Sequence, residues 1–223
     1  MSSLTPLLPL AVGMAISPLP IVAVIAILLS ARGRSAAPVY TATFFGVTLA
    51  AIAVGALTAA GAAGATHGGG RLVVTALGAL LTVGFTTMSI LSWRGRPKRG
   101  APPTPPGWLA AMDAITPARA AGLGLLMAAT NSKNLPLELK GGSLIGAAHL
   151  PLLVAALFCV GLAVAGSLTL ILPTALGATG LPRVVAALDR LKSEMIDHNA
   201  MIMTVLFAVL AANEASHLVH QLV

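Results

Sequence analysis

Apolar residues fill six long runs of this chain, and polar residues crowd the breaks between them. The runs cover roughly 5–30, 39–63, 71–93, 117–145, 150–173 and 199–219. A helix needs about 20 such residues to cross a bilayer. The pattern therefore predicts an all-α integral membrane protein with six transmembrane helices. Between the fifth and sixth runs, 182–197 changes character. Val184, Val185, Leu188, Leu191 and Met195 recur at helical spacing, and Arg183, Asp189, Arg190, Lys192 and Glu194 fill other positions. That predicts a short amphipathic helix lying in the membrane interface.

Two of the runs are interrupted. The fourth contains Thr130-Asn131-Ser132-Lys133-Asn134-Leu135-Pro136, with a lysine between two asparagines. Charge at bilayer depth is costly and persists where it faces a protein interior or a wet cavity. The first contains Ser17-Pro18-Leu19-Pro20. Each proline removes a backbone donor and clashes with the preceding turn. The carbonyls freed near Met14 to Ser17 then need partners from protein, water or ligand. Both breaks lie 12–14 residues into their runs, counted from Thr5 to Ser17 and from Pro117 to Asn131. At 1.5 Å per residue that is roughly 20 Å.

Composition supports the membrane reading. Of 223 residues, 57% are hydrophobic and only 9% charged, against about 25% charged in soluble domains. The net charge of +7 would suggest a nucleic-acid partner in a soluble chain. Here the basic residues sit in loops, where they orient the helices, and no nucleic-acid partner is expected. With the N-terminus outside, the inside loops hold Arg32, Arg34, Arg94, Arg96, Lys98, Arg99, Arg119, Arg183, Arg190 and Lys192; the outside loops hold only Arg71 and Lys140. Both termini are thus predicted outside a bacterial inner membrane. The lone Cys159 excludes an intramolecular disulfide or a thiol relay.

Three helices per half is an odd number, so the second half must run inverted to the first. The expected organisation is a three-helix repeat over 1–93, a basic, proline-rich cytoplasmic linker over 94–116, and a second repeat over 117–223. Interrupted helices in corresponding positions of two repeats point to a transporter's binding site. The residues also resemble a known family. Ser17-Pro18-Leu19-Pro20 with the following Ser30-Ala31-Arg32-Gly33-Arg34, the Asn131 to Asn134 stretch, and the region around Asp197 to Asn199 are similar to the GAP family. These are the peptidoglycolipid-addressing proteins of the LysE transporter superfamily. This chain has Ser132 where members of that family usually carry proline. The resemblance implies export of cell-envelope glycolipids or related lipids.

Lys133 is the sharpest candidate for binding an anionic headgroup, with Asn131, Asn134, Ser17, Pro18 and Pro20 around it. Helix N-termini at the breaks would add partial positive charge. The competing reading is an internal ion pair between Lys133 and Glu138. Coupling or gating candidates are Glu138, Glu214, Asp197 and Asn199, with proton coupling in place of any cofactor. Four histidines, His67, His149, His217 and His220, fall on the outer side, but none lies in a strong ligand motif, and no metal site is expected. No GxSxG, HExxH or P-loop occurs, so an enzyme is not expected. The first three helices lack acidic residues, which argues against a metal-cation exporter. Three functions remain. The first is a transporter or flippase of an anionic lipid or glycolipid. The second is an exporter of small, amino-acid-like solutes. The third is a scaffold whose small-residue face (Gly46, Ala50, Ala51, Gly55, Ala59) and basic loop would suit a homodimer or envelope-lipid export machinery.

Overall fold

The computed structural model describes residues 4–62, 69–96, 107–112 and 114–222. It holds α1 (Leu7–Ala15), α2 (Pro18–Leu29), α3 (Gly33–Ala62), α4 (Gly69–Arg94), a 3-10 turn (Gly107–Met112), α5 (Pro117–Ala129), α6 (Asn134–Ala147), α7 (Leu152–Gly177), α8 (Pro182–Asp197) and α9 (Asn199–Leu222). No strand occurs among the described residues. Most of the linker's basic run, including Lys98 and Arg99, lies outside them.

Prolines mark where helices begin. Pro18 opens α2 and Pro117 opens α5. Pro20 and Pro136 fall in the first turns of α2 and α6. Backbone N–H groups there have no intrahelical partner, so a missing donor costs little. Thr116 caps α5, its hydroxyl accepting from the Arg119 N–H at 3.3 Å. The break residues thus end one helix and start another, as the sequence predicts.

Three helices among the described residues are long and apolar enough to cross a membrane: α3 over Gly33–Gly61, α7, and α9 over Asn199–Ser216. The pair α1 and α2, bent by 49°, makes a fourth if the two count as one span. The expectation of six crossing helices is therefore met in part. The α5–α6 stretch, with Arg119, Lys133, Glu138 and Lys140, is not among those that qualify. Large apolar side chains face outward along these helices, such as Leu57, Leu153 and Val205. That is the surface expected against lipid rather than water.

The chain packs as two units, each drawing on both halves of the sequence: Met1–Gly61 with Pro105–Ile196, and Ala62–Thr104 with Asp197–Val223. In the first unit α2 is the central element. Ile21 to Ile27 are all buried and pack with Tyr40, Phe44, Met112, Ile115 and Leu170. The amphipathic helix α8 adds Leu188 and Met195 to this core, with Val184 and Ile196 beside them. Its Val185 and Leu191 stay exposed, and Lys192 pairs with Asp189 at 2.8 Å on its polar side. The remaining close packing comes from glycines. A side chain at Gly142 or Gly146 of α6 would strike the carbonyls of Ile52 or Ala56 on α3, and one at Gly55 would strike Leu139. Part of the small-residue face of α3 is thus used within the chain, while Gly46 has open space around it.

In the second unit α4 lies along α9. Phe85 stacks on Phe207 with ring centroids 6.0 Å apart, and the Ser89 hydroxyl donates to the Thr204 carbonyl at 3.0 Å. The Arg96 guanidinium lies 3.5 Å above the Trp93 ring, a pairing suited to a helix end.

Candidate functional site

The two breaks meet inside the first unit, although more than a hundred residues separate them in sequence. α1 ends at Ala15 and leaves its last carbonyls without intrahelical donors. Side chains from the second break and from α7 supply them. The Lys133 ammonium donates to the carbonyls of Gly13 and Ile16, the latter at 3.0 Å. The Asn134 amide donates to Met14 O at 3.2 Å. The Thr169 hydroxyl donates to Ala15 O at 2.6 Å, which also accepts from the Ser17 N–H at 3.0 Å.

A second set of bonds ties the breaks to each other. The Ser17 hydroxyl donates to Asn134 Oδ1 at 3.2 Å and accepts from Asn131 Nδ2 at 3.4 Å. Asn131 Oδ1 accepts from the Asn134 backbone N–H at 3.1 Å, which caps the start of α6. Pro18 and Pro20 are buried, and the Tyr40 hydroxyl donates to Pro20 O at 3.2 Å. All six residues named as substrate contacts thus belong to one junction.

The electrostatics explain why a lysine is tolerated. Its backbone sits at the N-cap of α6, the unfavourable end for a cation. Its side chain crosses to the C-terminal end of α1, where the helix dipole and the open carbonyls attract positive charge. Lys133 is 3% exposed and Asn134 1%. At the same turn Ser132 and Thr130 are exposed and Asn131 is half-buried, so polar groups lead from the surface to the ammonium.

Glu138 lies on α6 just beyond the junction and is buried. The Thr48 hydroxyl of α3 donates to its Oε1 at 2.9 Å, and Oε2 has no hydrogen-bond partner. No hydrogen bond or ion pair joins Glu138 to Lys133 among these contacts. The lysine's hydrogen bonds go to α1 carbonyls, and its charge acts on Glu138 without a direct bond between them.

The other gating candidates belong to the second unit, and the junction is built without them. Asp197 is exposed at the end of α8, Asn199 opens α9 with its Oδ1 buried and unpartnered, and Glu214 is buried on α9. His67 and the side chains of His217 and His220 lie outside the described residues. His149 follows the end of α6 with φ of 51°, a helix-ending conformation. Among the described residues no three His, Cys, Asp or Glu side chains gather as a metal site.

Sequence reasoning missed Thr169, Thr48 and Tyr40. Threonines in apolar helices commonly bond their own i−4 carbonyl, as Thr43 does to Val39 and Thr58 to Val54. Thr48 and Thr169 look the same in sequence but reach across to other helices. Nothing in their spacing sets them apart, since Ser167 lies two residues from Thr169 and Thr43 five from Thr48.

Comparison with curated proteins and with solved structures gives no match. A family model does match, over residues 7–216, from the start of α1 to the last turns of α9. The match takes in both breaks and every residue of the junction. On that evidence the chain belongs to the family described as Sap, sulfolipid-1-addressing protein.

Proposed function

We propose that this protein is a membrane transporter that exports an anionic lipid, a sulfated glycolipid in the first instance, with its headgroup passing the junction between the two broken helices. The observation that carries the reading is the Lys133 ammonium. It is buried at the meeting point of two helix breaks, and its hydrogen bonds go to backbone carbonyls. The family's description, sulfolipid-1-addressing protein, supplies the lipid class.

A sulfate or phosphate oxygen is a stronger acceptor for an ammonium than a neutral carbonyl. An anionic headgroup arriving past Ser132 and Asn131 would take Lys133 from Gly13 and Ile16. The end of α1 would then lose its cap, and α1 would be free to move relative to α6. Binding the headgroup and opening the junction become one event. Glu138 is a protonatable group beside this path, suited to coupling export to proton movement.

The same reading takes the chain as two inverted repeats in a bacterial inner membrane, both termini outside, within the GAP family of the LysE superfamily. α1–α2 then corresponds to α5–α6, α3 to α7 and α4 to α9. The matched positions of the breaks and the pairing of α4 with α9 support this.

The test is the envelope lipid profile of a deletion strain, split into surface-exposed and internal pools. The surface pool of sulfated glycolipid should fall while the internal pool rises. Complementation with wild type should restore it, and Lys133→Met, present at equal abundance in the membrane, should not. An unchanged surface pool in the deletion strain would falsify the transport reading. Full rescue by Lys133→Met would remove the ammonium from it.

A further inference from the structure

Beside the junction the first unit carries a furrow of about 560 Å³ between α1 and α7. Leu7, Leu8 and Ala11 form one wall; Leu157, Phe158 and Gly161 form part of the other. Every side chain lining it is apolar. The volume is that of a small-molecule site, but such sites carry a few polar groups that orient the ligand. This one offers none, so a polar solute or water would find no partner. Its occupant is hydrocarbon. The wall helix α7 is one of the helices long and apolar enough to cross a membrane, and across a bilayer the furrow would open to the lipid layer.

Length and position narrow the occupant. The α7 wall runs from Val154 to Ala165, a rise of roughly 16 Å of helix, about half the ~30 Å hydrocarbon core. That is the reach of a tail from one leaflet. Both walls continue into the junction. Ala11 lies two residues before Gly13, whose carbonyl Lys133 holds. Ala165 lies one turn before Thr169, which donates to Ala15 O. On the floor, Leu162 packs over Gly141 of α6, three residues from Glu138. The apolar furrow therefore ends where the anion-attracting group begins.

We propose that this furrow binds a hydrocarbon tail of the transported lipid while the headgroup engages the junction. The proposal rests on the export reading for the identity of that lipid. It assigns the substrate two separate handles on the protein, an ionic one at Lys133 and an apolar one along α1 and α7.

The experiment uses the full chain in phosphatidylcholine vesicles. The probe is a sulfated galactosylceramide carrying a diazirine on its fatty-acyl tail, cross-linked by light and mapped to peptides. Label should concentrate on residues 4–11 and 154–165. Gly161→Leu should reduce it, since a side chain there meets no neighbouring atom and would project into the furrow. Denying the tail one or two methylenes of burial weakens binding roughly four- to fifteen-fold. Leu157→Trp, at a position already largely exposed, gives a second narrowing of the furrow should Gly161→Leu fail to fold. Label spread evenly over all lipid-facing helices, or unchanged in both variants, overturns the proposal. Equal labelling by phosphatidylcholine with the same diazirine tail overturns the assignment to the transported lipid. Loss of surface lipid in the deletion strain, with no label in the furrow, would leave export standing and sink the tail site alone.

Discussion

Replacing Lys133 with methionine keeps most of the stem and deletes the ammonium. The carbonyls of Gly13 and Ile16 then lose their donor at a position 3% exposed. An unpaired buried polar group costs about 1–3 kcal/mol, whereas hydrogen bonds between membrane helices average ~0.6 kcal/mol because the unfolded chain also finds partners. Two bonds therefore bracket the loss between ~1 and ~6 kcal/mol. Losing a cation at the end of α1 adds up to ~2 kcal/mol, and relief of the lysine's own desolvation works the other way. The expected net loss is about 2–4 kcal/mol, read as unfolding free energy in mixed detergent micelles by circular dichroism. The same change also leaves the buried Glu138 without a nearby positive charge. Adding Glu138→Gln separates the two causes. With capping dominant, the second substitution recovers less than about 1 kcal/mol. Recovery of nearly the whole loss would show that the lysine serves Glu138 and that the capping argument is wrong.

Thr48→Ala leaves neither oxygen of Glu138 hydrogen-bonded and should cost about 1–3 kcal/mol, with Thr48→Ser close to wild type. Equal stability of the alanine and serine variants would remove Thr48 from the account. Asn134→Leu should be more destabilising than Thr169→Val, because Ala15 O keeps the Ser17 N–H after the threonine is lost, whereas Met14 O and Ser17 both lose the asparagine; the reverse order in the same unfolding measurement would contradict the bond assignments. Gly142→Leu should lower folded yield after detergent extraction through a backbone collision with α3, at about 1–3 kcal/mol or more. Gly46→Leu, in open space, should stay within about 0.5 kcal/mol.

The sequence read well where the physics is local. Apolar length located the helices, and prolines with their neighbours located both breaks, since a helix cannot continue through Ser17-Pro18-Leu19-Pro20. The freed carbonyls of α1 were also foreseeable, because every helix end leaves them. Their partners were not. Capping Gly13 from Lys133 depends on how α1 and α6 pack, and no local pattern encodes that. The same gap explains the Glu138 reading. Five residues along one chain suggested an ion pair; in the folded chain the two charges do act on each other, but the lysine hydrogen-bonds a helix end and the glutamate a threonine from α3. Glycines were legible as close-approach points, but which helix approaches was not: Gly55 serves α6 within the chain, and nothing in its spacing distinguishes that from a second copy.

The bonds that finish α1 have a consequence for how the protein is made. Gly13 waits for a donor 120 residues further along, and Ala15, which has the Ser17 N–H meanwhile, for a second donor 154 residues further along. At synthesis rates of about 5–20 residues per second, the first wait lasts roughly 6–24 s. Through that interval the end of the first helix carries open carbonyls that hydrocarbon cannot satisfy. The first segment must therefore be held by water or by the insertion machinery until the fourth emerges. A ribosome stalled before Asn131 would leave α1 reachable by water-soluble reagents, and release past Thr169 would close it.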